Sequence, residues 1–283
     1  MIIRFLKLFI SAAVFVSDSV RAAVSAWTGK QMRGTCVVLS YHAITDDAKE
    51  RFARQLKTLC RLTLPVSAVE KRQLNPNTRY CALTFDDAFQ SFFRNALPQL
   101  RQWHVPTTVF VPTGYLGKES AWFDYGGENL VGETVASCSH IAELAADRDF
   151  QIGSHSATHR NFLQLDENEL RTELKTSRND LESLLEKRVD AISFPYGCFG
   201  ERELRLAQAE GYEFMFSVTP TIVVDNLSGG LIGRVSVQPT DWPVEFRLKI
   251  LGAYRWLATM SAWKRSAKKH APLPSAGRVY RYG

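Results

Sequence analysis

Two adjacent acidic residues, Asp86 and Asp87, directly follow the short apolar run that ends in Thr84-Phe85. Like charges at this distance repel each other, so the pair calls for a compensating cation. In one interpretation, one aspartate binds a metal ion and the other acts as a general base. The alternative is a helix N-cap with a solvated neighbour. The pair alone is compatible with both.

Two histidines stand four residues apart in the segment His155-Ser156-Ala157-Thr158-His159, in a chain with six histidines. If the segment is helical, side chains at this spacing face the same way, which suits two ligands of one metal ion. Together with Asp87 they form a two-histidine, one-carboxylate set with open positions, as in catalytic zinc sites. We therefore expect one divalent ion, zinc first, with cobalt, nickel or manganese as alternatives.

A third segment, Ser193-Phe194-Pro195-Tyr196-Gly197, also follows a predicted strand. Pro195 restricts the backbone, and the Tyr196 N–H is then available to donate a hydrogen bond to an oxyanion. Taken by itself, the segment equally fits a strand that ends in a turn.

Short apolar, β-branched runs alternate with helical patterns along the chain, which predicts parallel strands joined by crossover helices. Seven such units favour a barrel over an open sheet, and catalytic groups of α/β barrels collect at the carboxyl ends of the strands. The predicted strands lie at Cys36–Ser40, Cys81–Thr84, Thr107–Val111, Gln151–Gly153, Ala191–Phe194, Phe214–Val218 and Gly233–Val237. The predicted helices lie at Phe52–Cys60, Ala88–Trp103, Asp166–Leu185 and Glu201–Glu210, and Tyr115–Ala145 is expected to form a long loop with a helix over the site.

The TFDD, HSATH and FPYG segments, in this order, resemble the first three motifs of the polysaccharide deacetylases of carbohydrate esterase family 4. Leu39-Ser40-Tyr41-His42 is similar to the opening strand of that family, and the resemblance covers residues 36–240. It implies an α/β fold, a distorted (β/α)7 barrel. It also implies substrates that are N-acetylated glucosamine polymers, peptidoglycan or, less often, acetylxylan.

The resemblance also implies roles for individual residues. The catalytic base would be Asp86, and the oxyanion would be stabilised by the Tyr196 N–H together with the metal. Metal ligands and substrate contacts are assigned in the same way: Asp87, His155 and His159 bind the metal, and Pro195, Tyr196 and Asp124 contact the substrate.

Two positions depart from the pattern of that family. Its third motif commonly begins with an arginine that orients the catalytic aspartate, whereas this chain has Ser193. We expect Arg234 to pair with Asp86 instead and to keep it ionised; the alternative is a surface arginine at a strand entrance. The late Leu-x-His element that supplies a general acid is also absent, and His42 is the proposed replacement. The alternative for His42 is a hydrogen bond to a backbone carbonyl.

Charge is distributed unevenly along the chain. Residues 1–30 hold four Lys/Arg and one acid, and residues 246–283 hold nine Lys/Arg and no acid. Residues 31–245 hold 22 basic and 28 acidic residues, which argues against a nucleic-acid-binding body and makes an anionic membrane surface the more plausible partner of the ends.

The chain is predicted to have three parts: a hydrophobic and basic targeting or membrane-associating segment (1–33), a catalytic domain (34–243), and an amphipathic helix with a basic tail (244–283). The apolar run Leu8–Val16 is too short to span a bilayer, and both a cleaved signal peptide and a helix in the membrane interface fit it. At the other end, Trp256 and Trp263 could lie in a membrane interface, or the helix could close the bottom of the barrel.

We expect the protein in the cell envelope, exported or membrane-associated through its first segment. Peripheral association at the cytoplasmic face is compatible with the same residues.

The expected function is metal-dependent hydrolysis of N-acetyl groups on amino sugars of an envelope or extracellular polysaccharide or its precursor. One alternative is a deformylase or esterase acting on a lipid-linked sugar. Another is a catalytically inactive sugar-binding relative; the retention of both aspartates and both histidines argues against it.

Overall fold

The structure, a computed structural model, describes residues 2–122 and 132–260. The substrate contact expected of Asp124, and the membrane contact expected of Trp263 and the basic tail, lie outside the described residues. The strands are β1 (Thr35–Tyr41), β2 (Leu64–Pro65), β3 (Arg72–Gln73), β4 (Arg79–Phe85), β5 (Thr107–Val111), β6 (Phe150–Ser154), β7 (Ala191–Ser193), β8 (Phe214–Ser217), β9 (Val223–Val224), β10 (Asn226–Leu227) and β11 (Gly230–Ser236).

Seven parallel strands close into a barrel. Their order is β4-β5-β6-β7-β8-β11-β1, and β1 pairs with β4 over its whole length, from Thr35 opposite Arg79 to Tyr41 opposite Phe85. The short strand β2 extends the sheet beside β4, and β9 pairs antiparallel with the start of β1. The expected (β/α)7 barrel is therefore confirmed, and all seven predicted strands belong to it.

The barrel strands are buried on both faces, so their sequences are apolar almost throughout. In β1, Val37, Leu39 and Tyr41 pack in a cluster under the outer helices, and Cys36 and Val38 pack in the cluster that contains Phe110 and Phe216. This alternation follows from the period of two along a strand. Nearer the carboxyl end of the barrel the positions in phase with Cys36 and Val38 become polar, namely Ser40, Thr84, Asp86 and Arg234.

The helices are α1 (Ile2–Trp27), α2 (Lys49–Leu62), α3 (Leu97–Gln102), α4 (Cys138–Ala146), α5 (Glu167–Leu185), α6 (Glu201–Ala209) and α7 (Pro243–Ile250). The predicted helix at Ala88–Trp103 is realised as a π-helical stretch, Phe92–Ala96, that leads into α3. Short 3-10 turns occur at Asp46–Ala48, Thr113–Tyr115, Phe162–Gln164 and Pro195–Gly197. The capping box at the start of α5 is confirmed: the Asp166 side chain accepts from the Glu169 N–H, and Glu169 accepts from the Asp166 N–H.

The two ends of the described chain pack together on the barrel. The helix α1 extends well beyond the apolar run Leu8–Val16, contacts α7, and buries Ser11 completely. The amphipathic segment predicted from Val244 is not one continuous helix, because turns at residues 251–255 separate α7 from a last helical stretch at 256–260. Gly252, with φ of 75°, provides the left-handed backbone at this break. Across residues 2–122 and 132–260, no helix has the length and hydropathy needed to cross a bilayer.

Candidate active site

Asp87, His155 and His159 converge at the carboxyl end of the barrel. Asp87 follows β4 and His155 follows β6. The Asp87 Oδ1 atom lies 3.3 Å from His159 Nε2 and 3.7 Å from His155 Nε2, and all three side chains are buried. The ligand atoms that the three residues offer lie within 4.8 Å of one another. This spacing suits coordination of a single ion.

The two histidines converge without a helix, so the condition under which their spacing was interpreted is not met. The segment from His155 to His159 is an irregular loop, and Ser156 and His159 have positive φ angles of 65° and 56°. The chain turns back on itself in this loop, so the rings meet edge to face with their centroids 4.8 Å apart. Their convergence therefore depends on a strained loop that the surrounding structure must hold.

The three side chains fit a divalent cation. The buried Asp87 Oδ1 has no hydrogen-bond partner among the described residues, although a buried carboxylate oxygen normally has one. The His155 Nδ1 atom donates to the Ser193 carbonyl at 2.8 Å, which leaves Nε2 as the bare nitrogen facing Asp87. Burial raises the pKa of the Asp87 carboxyl and lowers the pKa of His159 well below its ordinary value. A cation would compensate the buried carboxylate and accept lone pairs from the Nε2 atoms of His155 and His159.

Glu173, on α5, holds the histidine loop from behind. Its Oε2 accepts hydrogen bonds from the Ala157 and Thr158 N–H groups at 3.0 and 2.8 Å, and its Oε1 accepts from the Thr158 hydroxyl. The side chain is only 7% exposed, and these three bonds satisfy its carboxylate. The sequence carried a signal for this residue, since Glu173 places a charged side chain on the helix face of Leu170, Leu174 and Leu181, which is buried.

Asp86 and Arg234 form a two-bond ion pair inside the barrel. Arg234 Nη1 donates to Asp86 Oδ1 at 2.7 Å, and Nη2 donates to Oδ2 at 2.8 Å. Arg234 is fully buried. Burial alone would raise the pKa of the Asp86 carboxyl, but the charge and hydrogen bonds of Arg234 outweigh it, and the pKa lies well below its ordinary value.

The remaining contacts of Arg234 tie it to three other strands. Nη1 also donates to Thr84 Oγ1 at 2.9 Å, Nη2 donates to Ser193 Oγ at 2.8 Å, and Nε donates to the Ser217 carbonyl at 3.3 Å. The guanidinium carbon lies 5.5 and 5.8 Å from the ring centres of Phe110 and Phe216. Arg234 thus contacts Ser193, the position at which family members commonly carry the orienting arginine.

His42 and Tyr196 lie around this centre. His42 Nε2 is 4.0 Å from Asp86 Oδ2, and its side chain is 17% exposed, more than either member of the buried ion pair. Tyr196 has a left-handed backbone with φ of 59°, and its ring packs edge-on against His159 with centroids 4.7 Å apart. Pro195, which precedes Tyr196, is buried.

Trp122 is a site residue that the sequence had not indicated. Its indole stacks on the His159 imidazole with ring centroids 4.1 Å apart and 17° between the planes. It lies in the irregular stretch after Tyr115, which offers no periodic pattern from which its position could be read. The ring contacts fix the side chain of His159, a candidate metal ligand, and form part of the wall of the site.

Comparison with known proteins identifies the family of this chain. A model of the polysaccharide deacetylase family matches residues 73–215. The chain is 21% identical to the protein YxkH of Bacillus subtilis (strain 168) over 230 residues, which are 76% of each chain. It is 22% identical over 161 residues to the poly-beta-1,6-N-acetyl-D-glucosamine N-deacetylase of Staphylococcus epidermidis, covering 55% of this chain and 53% of that protein. The alignment therefore spans about half the length of the staphylococcal relative.

Two solved structures share the fold. IcaB from Ammonifex degensii superimposes with a TM-score of 0.62 at 21% identity, covering 79% of this chain and 98% of that one. The polysaccharide deacetylase BC0361 from Bacillus cereus also gives 0.62 at 21% identity, with 77% and 69% covered. Because the family model matches half of the sequence, this chain belongs to the polysaccharide deacetylase family, whose members are hydrolases that cleave the amide bonds of N-acetylated sugars.

Proposed function

We propose that this chain removes N-acetyl groups from amino sugars of an envelope or extracellular polysaccharide or its precursor. The observation that carries the proposal is an ionised carboxylate, Asp86, next to the metal-competent set of Asp87, His155 and His159. A water activated at this site would need such an acceptor within reach. The name of the staphylococcal relative, a poly-beta-1,6-N-acetyl-D-glucosamine N-deacetylase, supports an amino-sugar substrate.

Asp87, His155 and His159 would hold one divalent ion, for which we propose zinc. When bound, such an ion acts as a Lewis acid toward the acyl group and the attacking water. Asp86 accepts a proton from that water. Arg234 keeps Asp86 ionised and oriented through its two hydrogen bonds, so the carboxylate is already deprotonated and can accept the proton.

The other residues act on the acyl group and the leaving amine. The Tyr196 N–H donates to the oxygen on which negative charge develops, and Pro195 fixes the backbone that presents it. His42, which lies beside Asp86 and is partly exposed, donates a proton to the departing amine. Cleavage of the carbon–nitrogen bond then leaves a free amino sugar and acetate.

We place this activity in the cell envelope, reached by export or by membrane association of residues 1–33. Residues 34–243 form the catalytic domain in this proposal, and residues 244–283 form a flanking segment. The excess of basic residues at both ends supports an anionic membrane surface as a partner.

The test is acetate release from N-acetylglucosamine oligosaccharides by the metal-loaded protein, with formate release from formylated lipid-linked sugars measured in parallel. Asp86→Asn should lower turnover by about 10²-fold or more, as expected for loss of a general base, and should keep the metal content of the wild type. Asp47→Asn, at an exposed aspartate, is the matched control and should leave turnover unchanged. Near-normal turnover of Asp86→Asn would refute the assignment of Asp86 as the base. Formate release without acetate release would refute the proposal that the group removed is an acetyl group.

A further inference from the structure

The N-terminal helix α1 presents an apolar stripe to the outside of the molecule. Ile2 is 85% exposed, Phe9 74% and Trp27 89%, and more than half of the exposed large apolar side chains of the described chain lie on this helix. Eight of the exposed apolar residues recur every three or four positions, which places these eight on one face of a helix. They are Ile2, Leu6, Phe9, Ala13, Val16, Val20, Val24 and Trp27.

The opposite face of α1, here called the polar face, carries Arg4, Ser11 and Asp18 and is fixed to the body of the protein. Beside these residues, Leu8, Ala12, Val14 and Phe15 pack against the hydrophobic core. Arg4 donates to the Glu245 carboxylate at 2.6 and 2.8 Å, and Asp18 accepts two bonds from Arg255, each of 2.7 Å. Ser11, which is fully buried, accepts from the Trp256 indole N–H at 2.9 Å. A surface helix of a soluble domain normally turns a polar face to the solvent, whereas α1 turns an apolar stripe outward.

The stripe is too long to be an incidental surface feature. A helix of 26 residues extends about 39 Å at 1.5 Å per residue, and contiguous apolar patches of this kind mark binding surfaces. We propose that α1 is a retained, in-plane membrane anchor, whose stripe inserts into the interface of an anionic lipid bilayer while its polar face stays bonded to the region around α7.

Charge favours lipid over a second copy of the chain as the occupant. The single acid of α1, Asp18, is paired with Arg255, whereas Lys7 and Arg21 form no ion pair among the described residues. Residues 261–283 add six Lys/Arg and no acid in sequence. Anionic head groups would attract this excess of positive charge, and each basic residue near such a surface contributes about 1 kcal/mol. Two copies meeting stripe to stripe would bring like charges together.

An in-plane arrangement follows from the bonds on the polar face. A helix that crossed the bilayer would have to withdraw Arg4 and Asp18 from their partners and place them in hydrocarbon. If α1 were instead a signal peptide, the weak candidate cleavage site Val20-Arg21-Ala22 would place the cut after Ala22. Its removal would leave Glu245, Arg255 and Trp256 without these partners. Exposed Trp27, at the end of the stripe, is of the residue type enriched at membrane interfaces.

The anchor also reaches the end of the barrel that holds the active site. Its first turn contacts the segment after the carboxyl end of β11, through the Arg4 bond to the Thr240 carbonyl and the contact of Phe5 with Trp242. This consequence rests on the proposed function: the barrel mouth would be held near the lipid surface, within reach of a polysaccharide or precursor at the membrane.

The test is co-sedimentation of the full-length protein with vesicles of phosphatidylglycerol and phosphatidylcholine, and with phosphatidylcholine vesicles alone. We expect binding to the anionic vesicles. The variant Leu6→Gln/Phe9→Gln/Val16→Gln should bind about tenfold more weakly or worse, because three stripe side chains no longer gain from insertion. The matched control Leu64→Gln/Leu163→Gln/Leu231→Gln, at three similarly exposed positions elsewhere, should bind like the wild type.

Deacetylation of a soluble oligosaccharide separates the two proposals, because the stripe variant should retain it and vesicle binding needs no catalysis. Equal vesicle binding by the stripe variant and the wild type would overturn the anchor. So would a wild-type dimer that the stripe variant converts to monomers without a change in vesicle binding, since a second copy would then cover the stripe. Protein extracted from native membranes should have the mass of a chain that keeps α1, and a mass lacking residues 1–22 would also overturn it.

Discussion

Arg234 holds Asp86 by two parallel hydrogen bonds of 2.7 and 2.8 Å, although 148 residues separate them in the chain. Arg234 also donates a hydrogen bond to the Ser193 hydroxyl. At the position of Ser193, family members commonly carry the arginine that orients the catalytic aspartate. The positive charge beside Asp86, the proposed base, therefore comes from β11 in this protein, and the short side chain of Ser193 leaves the space for it.

Removal of this charge should move the acidic limb of the pH profile of kcat/KM to higher pH. In the proposed mechanism Asp86 acts as an ionised base, and with Arg234 present its pKa lies well below the ordinary value. In Arg234→Met the Asp86 carboxyl stays buried but loses the neighbouring positive charge, so its pKa rises. On lowering the pH, Asp86 is then protonated earlier, and activity is lost at a higher pH than in the wild type.

Loss of one partner of a buried ion pair also costs about 3–5 kcal/mol of stability, so a thermal melt must first show that Arg234→Met is folded at the assay temperature. Arg234→Lys keeps a charge without the two-bond geometry and should shift the limb less. Arg171→Met, at a surface arginine, serves as the control. An acidic limb that stays in place in folded Arg234→Met would remove Arg234 from the site.

An arginine at position 193 on β7 should be able to replace Arg234 on β11 as the partner of Asp86. Ser193→Arg alone places a second guanidinium against Arg234 and overfills the barrel, so we expect a loss of about 1–3 kcal/mol from overpacking alone and a loss of activity. Ser193→Arg/Arg234→Ser restores one arginine beside Asp86 and should recover part of both. Urea unfolding and kcat/KM measure the two effects, and a double variant no better than the worse single variant would contradict the exchange.

Glu173 should act on metal affinity through the histidine loop. Glu173→Gln puts an amide N–H₂ where the carboxylate accepts from the Ala157 N–H, the Thr158 N–H and the Thr158 hydroxyl. Because residues that orient metal ligands typically contribute 10–100-fold to affinity, we expect the Kd for zinc, measured by competition with a chelator, to rise by about tenfold or more. Glu182→Gln on the same helix is the control, since that carboxylate bonds Val189 and Arg178 away from the site. An unchanged Kd in Glu173→Gln would reduce Glu173 to a structural role.

The loss of rate on removing His42 should be larger for a leaving group that must be protonated to depart. His42→Ala should slow amide hydrolysis by about 10²-fold, because an amine leaves poorly without protonation. An aryl ester with a phenolate leaving group needs no such proton and should be hydrolysed with little loss. Metal content serves as the check that the variant keeps its ion. Equal losses on amide and ester would show that His42 does not act as the acid.

Local patterns in the sequence were sufficient for the seven barrel strands and for the capping box of α5, because alternation, apolar runs and N-cap chemistry involve neighbours within a few residues. The residue types of the metal set were also evident, since few side chains bind divalent ions. The local pattern did not give the conformation of the histidine pair: the condition of a helical segment is not met, and the His155–His159 loop is held by contacts with Glu173 on α5.

Only the tertiary structure decided which groups face one another across the barrel. The partner of Arg234 depends on closure of the sheet between β1, β4 and β11, and no local pattern encodes that closure. The same holds for α1. Its sequence is apolar around most of the helix, and which face packs inward depends on Glu245, Arg255 and Trp256, more than 200 residues away. Their hydrogen bonds hold the face that carries Arg4, Ser11 and Asp18 inward and leave the apolar stripe outside.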